Sequence, residues 1–592
     1  MQYADLVAVY ERLAATDSNH DKRDILAETV AEAGELLPVV VKLVRGRLFA
    51  AHQRAELGAS SSLTLEAILK ATGVDEDDVR DQWRETGDLG DAAAWAVEHN
   101  TQQTLFSEPL TVERVHDTLR ELATYEGAGS QDRRVDEIAG LISDADPGEA
   151  RYVVRTALNH LRLGVGEGTI RDAIAFAFLD GSQEAIDAVE RAYQVTNDYR
   201  VVAETAHDEG IAGLDDLDVE LFRPVQVMLA EKGESLASAL ADATTGGRAL
   251  AEAKYDGARI QIHKDGDEIR LFTRRLEDVT EQFPDVVAAV REGVTAEQAI
   301  LDGELVGYTP KTVVDEDREP VPFQRFSQRI KREDGVEAMA KEVPVVIHLF
   351  DCLYDGETLI EASLATRIER LDDTFESVAV APDAPRAGLE RARFRWVGFE
   401  PESQEPADDE DETPEDEPVT VPEAAQTLYR EALDAGHEGV MVKNPASDYQ
   451  PGTRVGRMLK VKPTMEPLDL VVSRAIYSEG RRSDWLGRLY LACYDEGSDD
   501  LQEVGRLSTG YTDEELDRLT DRLEALIISQ DGRAVDLRPE VVLEVEYEEI
   551  QASEEYGSGY ALRFPRFLRV REDLDPSDTD TLERVESLFE SQ

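Results

Sequence analysis

The chain has 592 residues, with 63 Lys plus Arg against 126 Asp plus Glu, a formal net charge of −63. That length supports several domains with cores of their own, and 41% hydrophobic content argues against a disordered acidic polymer. Two cysteines, Cys352 and Cys493, exclude a disulfide framework and a four-cysteine zinc site.

In chain order, residues 1 to about 215 read as helices, with apolar positions such as Leu6, Val9, Tyr10 and Leu13 at three and four spacing. Gln102-Gln-Thr-Leu105-Phe106 interrupts them as a polar stretch carrying two apolar anchors, either a docking motif or a pair tucked onto the helical core. Arg151, Arg155 and Arg162 are spaced four and seven apart and are expected on one helix face. Gly164, Gly166, Gly168 and Thr169 then open a turn before another helix. Glycines let backbone N–H groups approach phosphates, and a helix N-terminus favours anions. The bland alternative is a solvated basic face followed by an ordinary helix–helix turn.

A second region begins near Arg223-Pro224 and alternates strands with helices. Its most informative stretch is Glu252-Ala-Lys254-Tyr-Asp256-Gly257-Ala-Arg259, at the junction of a helix-like and a strand-like run. A free lysine amine has a pKa of about 10.4, so roughly one in a few thousand is neutral at pH 7. Neighbouring cations lower that value and activate lysine nucleophiles. Ile260–His263 and Ile269–Phe272, separated by Asp265-Gly266, predict a β-hairpin, and Phe272-Thr-Arg274-Arg275 follows it directly. Leu301-Asp-Gly303-Glu304 supplies a carboxylate. Val343–Phe350 reads as a buried strand leading into Asp351.

Residues 400–418 form an acidic, proline-punctuated insert, expected to be a loop inside this region. Glu438-Gly-Val-Met-Val-Lys443 and Pro451-Gly-Thr-Arg454 come next. In Leu459-Lys460-Val-Lys462 the two lysines alternate and are expected on one strand face. From Leu468 short strands recur at Leu468–Ala475, Leu489–Tyr494 and Val541–Glu548, which suggests a small β-barrel of the OB type. Leu562-Arg563-Phe-Pro-Arg566 lies near the end.

The bases are concentrated. Residues 451–482 hold seven Lys/Arg against three acids, and residues 561–572 four Arg against one Glu. Positive islands at these places suit phosphate handling. The rest reads as a solvated acidic shell for a salt-filled cytoplasm, because at molar salt the Debye length is about 3 Å and self-repulsion is screened. No charged-then-apolar leader opens the chain and no apolar run approaches about 18 residues, so a cytoplasmic protein without a membrane span is expected.

Taken in order, the motifs at Lys254, Glu304, Phe350, Glu438 to Lys443, Lys460 to Lys462 and Arg563 to Arg566 resemble the series of covalent nucleotidyltransferases: DNA ligases, RNA ligases and mRNA capping enzymes. Nearly end to end, the chain resembles ATP-dependent DNA ligases of the archaeal and eukaryotic type. The resemblance implies a multidomain fold: an all-α DNA-binding domain over 1–215, an α+β adenylation domain over 220–463 and a C-terminal β-barrel OB-fold over 464–592, with a hinge near residues 462–467. It implies that Lys254 is the covalent nucleophile, within a motif that includes Asp256 and Gly257. Glu252, Arg259, Arg274, Glu304, Phe350, Arg454 and Lys460 would bind the nucleotide, with Phe350 stacked on adenine and Lys460 on the α-phosphate. Lys443, Lys462, Arg563 and Arg566 complete the motifs.

By the same resemblance, Glu304 and Glu438 would hold Mg²⁺, with Mn²⁺ as an alternative. Arg155, Arg162, Gly164, Gly166 and Thr169 would contact nicked double-stranded DNA. Gln102, Leu105 and Phe106 would meet a sliding clamp, and a monomer is expected. Two features depart from the family pattern: Met458 stands where a tryptophan is common, and the 400–418 insert has no counterpart. RNA ligases and capping enzymes share the lysine motif but lack the long helical N-terminal region. A non-catalytic scaffold would not keep the chemically competent residue in every motif.

Overall fold

The computed structural model describes the chain except residues 51, 54, 56, 101–107, 128, 316–317, 333, 382–385, 400–420, 464, 479–484, 496, 499 and 592. Contacts divide it into two compact units, Met1–Val461 and Lys462–Gln592.

The first part of the larger unit is helical from Tyr3 to Asp215. The helices begin where short polar side chains can accept from their own first-turn N–H groups. Asp88 caps the helix Leu89–Glu98, and Asp146 with Glu149 forms a capping box ahead of Pro147–Ala157, whose first residue is the proline. The apolar faces converge on one core that includes Leu6, Tyr10, Leu13, Val40, Ile68, Val153 and Val189. The sequence reading of this region as all-helical holds.

Beyond it, among the described residues, ten strands build two five-stranded sheets: β1 (Leu229–Lys232), β2 (Arg248–Lys254), β3 (Ala258–Asp265), β4 (Glu268–Thr273), β5 (Gln298–Gly307), β6 (Val345–Tyr354), β7 (Gly388–Arg391), β8 (Phe394–Gly398), β9 (Gly439–Lys443) and β10 (Arg454–Val461). One sheet has the order β1-β10-β9-β2-β8, the other β4-β3-β5-β6-β7. The predicted hairpin is β3–β4, and the predicted buried strand is β6. β2 ends in the first sheet at Lys254, and the chain re-enters as β3 of the second after Tyr255-Asp256-Gly257. The lysine therefore sits where the chain passes from one sheet to the other.

Buried polar side chains lock the lead-in segment to the second sheet. The Phe222 N–H donates to His263 Nδ1 at 3.0 Å, the Val225 N–H to Gln261 Oε1 at 2.8 Å and the Met228 N–H to Tyr449 Oη at 3.2 Å. Val195 of the helical region shares a small core with Val225, Met228, Ile300 and Tyr449.

The second unit contains β11 (Leu468–Ile476), β12 (Arg488–Asp495), β13 (Asp500–Leu507), β14 (Ile527–Asp531), β15 (Ala534–Leu537), β16 (Val542–Glu546), β17 (Glu549–Ala552), β18 (Tyr560–Arg563) and β19 (Arg566–Val570), with helices at Asp513–Glu524 and Leu582–Ser591. β13-β12-β11-β15-β14 run side by side, β16 joins β11 to β19, and β17–β18 is a separate hairpin. Among the described residues this pairing does not close on itself. The sequence expectation of a barrel is met only as a sheet domain.

Candidate active site

β2 and β9 are antiparallel neighbours, and their register sets Lys254 opposite Gly439. The Glu438 N–H donates to the Lys254 carbonyl at 2.9 Å, and the Glu438 carboxylate forms an ion pair with the Lys254 amine. Both side chains keep about a fifth of their surface exposed, 23% and 20%, so the pair opens to solvent. Gly257 follows at a tight crossing. A Cβ there would lie 2.5 Å from the Leu305 carbonyl oxygen and 3.1 Å from Glu304 Cγ, so only glycine lets the turn after the lysine press onto β5.

Glu304 on β5 pairs in register with Arg259 on β3. Desolvation pushes its carboxyl up to about 7, helped by Glu438 and Asp256 and opposed by Lys254 and Arg259. The Lys254 amine and the Glu438 and Asp256 carboxylates thus all act on Glu304 electrostatically. Glu304 and Glu438 offer hard oxygen donors of the kind Mg²⁺ takes one or two of, completed by water and phosphate oxygens. No cluster of three or more His, Cys, Asp or Glu able to hold a metal occurs among the described residues.

The other end of β2 carries a buried pair. Glu252 is 2% exposed and ion-paired to Lys443 at 2.5 Å. Its second oxygen accepts no hydrogen bond and has Arg391 Nη1 at 3.7 Å. The Lys443 amine lies 4.8 Å from the ring centroid of half-buried Phe350, and the Arg259 guanidinium 5.3 Å. Arg259 is itself held, at 2.5 Å by Asp302, 2.8 Å by the Met228 carbonyl and 3.0 Å by Tyr449 Oη. Its guanidinium is thus a built-in part of the β3–β5 floor.

The remaining predicted residues scatter more widely. Arg274 is exposed in the turn after β4, and Arg454 is exposed at the start of β10. Lys460 lies on β10 between Met441 of β9 and Lys232 of β1. The expectation that Lys460 and Lys462 share a strand face is corrected: β10 stops at Val461, and Lys462 belongs to the second unit, 3.5 Å from Glu548. In that unit Arg563 ends β18, 2.9 Å from Glu549, and Arg566 opens β19, 3.5 Å from Glu546. Gln102, Leu105 and Phe106, and the 400–418 insert, lie outside the described residues.

The arginine motif of the helical region also needs correcting. Arg151 and Arg155 lie on the helix Pro147–Ala157, but Arg162 does not share its face. The helix ends five residues earlier, and Arg162 has a left-handed φ of 57° in the following loop. The three side chains do converge, on carboxylates: Arg155 on Asp88 at 3.1 Å and Asp91 at 3.2 Å, Arg151 on Asp91 at 2.7 Å and Arg162 on Asp88 at 3.0 Å. Arg155 is only 12% exposed and braces the start of the helix Leu89–Glu98. Gly164 adopts φ 61°, and its carbonyl accepts from Lys22 Nζ at 3.1 Å; Gly166 caps the helix Glu167–Phe178 that contains Thr169.

Sequence reasoning missed the support behind the lysine. Tyr255 stacks on His348 with centroids 3.9 Å apart, and His437 meets its edge at 4.7 Å. Burial pushes the His437 imidazole down to about 3, so it stays neutral. Asp302 lies in the same motif as Glu304, and a carboxylate in an apolar strand is itself a signal of a buried cationic partner.

Comparison with known proteins places this geometry. Three family models match in chain order: "DNA ligase N terminus" over residues 2–175, "ATP dependent DNA ligase domain" over 227–462 and "ATP dependent DNA ligase C terminal region" over 482–574. They define a ligase class built from a helical region, a central nucleotidyltransferase domain and a C-terminal sheet domain. A DNA ligase of Natronomonas pharaonis is 43% identical over 99% of this chain and 100% of its own length, and one of Thermococcus fumicolans is 39% identical over 100% and 98%. The chain belongs to the ATP-dependent DNA ligase family. The solved structure titled Pmar-Lig_PreS3 has the same fold, with a TM-score of 0.53 at 16% identity over 95% of this chain and 99% of its own.

Proposed function

We propose that the protein seals nicks in duplex DNA, with Lys254 as its covalent nucleophile. The observation that carries this reading is the placement of Lys254 at a sheet-to-sheet crossing, ion-paired to Glu438 and beside Glu304. Lys254 Nζ attacks the α-phosphorus of ATP, the bond to pyrophosphate breaks, and the amine gives up its proton as the phosphoramidate forms. AMP then passes to the 5′-phosphate at a nick. The 3′-hydroxyl attacks that phosphate, a phosphodiester bond forms and AMP leaves. Positioning and charge neutralisation supply most of the acceleration in such transfers.

Glu304 and Glu438 would hold Mg²⁺ or Mn²⁺, which would neutralise phosphate charge. Glu252 with Lys443 would frame the adenine side beside Phe350, while Lys460, Arg259, Arg274 and Arg454 would face sugar and phosphates. The domain division 1–215, 220–463 and 464–592 follows the same reading, with the sheet domain as an OB-fold that presents Arg563 and Arg566. Contacts to DNA would run along the backbone, since a nick has no fixed sequence.

No helix among the described residues is long and apolar enough to cross a membrane. A cytoplasmic monomer working at high salt fits the −63 charge and the Natronomonas relative. A clamp contact through Gln102, Leu105 and Phe106 belongs to the same proposal.

The test is nick sealing with ATP, with NAD and GTP in parallel, along a KCl series. Sealing with ATP that rises toward molar KCl is expected. Sealing only with another nucleotide would overturn the ATP reading, and maximal sealing in dilute buffer by folded protein would overturn the high-salt one. Lys254→Ala should seal a pre-adenylated nick but not an ordinary one, because only the first step uses the amine.

A further inference from the structure

In a chain with twice as many acids as bases, a cavity lined by bases stands out. One lies in the helical region, with a volume of about 350 Å³. At roughly 30 Å³ per water it has room for about ten waters, ample for a phosphate group. Five of its lining side chains are cations, Lys42, Arg45, Arg47, Arg120 and Arg200, and one, Asp198, is an acid. None of the residues around Lys254 lines it.

Two of the cations are already matched. Arg45 is ion-paired to Glu167 at 2.7 Å, and Arg200 to Glu204 at 2.8 Å and Asp198 at 3.4 Å. Lys42, Arg47 and Arg120 have no carboxylate within ion-pair distance among the described residues. Lys42 is half-buried on the last turn of the helix Leu37–Arg45. Burial lowers its pKa, and Arg120 and Arg200 lower it further, against a smaller pull from Asp198 and Glu204. The Arg120 guanidinium lies 5.1 Å from the Phe49 ring centroid, and Arg47 is exposed at the rim.

Gathering half-buried cations without anions is unfavourable unless an anion joins them. The cavity wall also includes the start of the helix Tyr199–Asp208, where the Asp198 carboxylate already caps the first turn by accepting from the Arg200 N–H at 2.9 Å. By contrast, the arginines that the sequence offered for this role, Arg155 and Arg162, are spent on Asp88 and Asp91.

We propose that this cavity is a phosphate-binding site separate from the nucleotide site, held by Lys42, Arg47 and Arg120. The phosphate comes either from the backbone of the duplex or from a free phosphate ion. The first source rests on the ligase reading; the second does not.

The test uses the full chain, wild type against the combined variant Lys42→Ala, Arg47→Ala and Arg120→Ala. Binding to a nicked duplex is measured along a KCl series, and binding of inorganic phosphate by calorimetry. A backbone site predicts a salt slope shallower by about 0.9, the contribution of one neutralised phosphate. A free-phosphate site predicts an unchanged slope and phosphate binding weakened about tenfold or more. Unchanged slope together with unchanged phosphate affinity, in a variant that melts like wild type, overturns the proposal. If the combined variant melts early, the exposed Arg47→Gln takes its place, with an expected slope change of about 0.9 or a weakened phosphate affinity; no change in either overturns the proposal. Formation of lysyl-AMP by the wild-type chain checks the ligase reading separately, so the two can fail independently.

Discussion

Lys254 and Glu438 are joined twice, by the Glu438 N–H on the Lys254 carbonyl at 2.9 Å and by the ion pair of their side chains. The backbone bond fixes where β2 ends against β9, and the side-chain pair aims the amine. Removing the carboxylate should leave the strands intact but release the amine from its position. Misplacement of a reacting group by about 1 Å can cost on the order of 10²-fold. Glu438→Ala should therefore slow lysyl-AMP formation by about that factor in single turnover, with an unchanged melting midpoint. A near-wild-type rate would contradict the positioning role.

Arg259 and Asp302 predict a stability effect. Asp302 is fully buried and its partner only 16% exposed. Asp302→Asn leaves a covered guanidinium without its counter-charge, which should cost about 3 kcal/mol. Tyr449→Phe removes one hydrogen-bonding hydroxyl from the same cluster and should cost about 1 kcal/mol. Denaturant unfolding checks both, and equal effects would argue against the ion pair as the main contact.

Glu304 predicts a pH dependence. Its carboxyl titrates near 7 in the folded chain against an ordinary value of 4.5, so the native state binds the proton more tightly than the unfolded state. Its contribution to stability is therefore fully present below about pH 4.5 and is lost as pH rises through 7. Metal-free Glu304→Gln should melt higher than wild type at pH 8, with the difference vanishing at pH 4. A difference constant across that window would contradict the raised titration.

Arg155 separates a structural role from a DNA role. Arg155→Ala exposes the buried Asp88 to loss of a partner and should destabilise by about 3 kcal/mol, whereas Arg162→Ala, with 54% of its side chain exposed, should cost under about 1 kcal/mol. The salt slope of DNA binding should stay at its wild-type value for Arg155→Ala. A shallower slope in folded protein would return Arg155 to the phosphate-contacting set.

The sequence carried the helical first region, the β3–β4 hairpin and the β6 strand, because each rests on a local period or a short run of residues. What it could not carry was pairing between distant segments. Arg155 and Arg162 read as an available basic face because Asp88 and Asp91 lie more than sixty residues earlier. Lys460 and Lys462 read as one strand face from their alternation alone, although Pro463, which cannot donate to a sheet ladder, marks the end of β10 near Val461. The Lys42 cavity was invisible for the same reason, its cations coming from three separate helices and the loop after the first of them.

The most direct test of the central claim is the intact mass of the chain after incubation with ATP and Mg²⁺ in molar KCl. One added AMP, mapped to Lys254 and discharged by nicked DNA, is the predicted result. An adduct on another residue, or no adduct from folded protein, would contradict it.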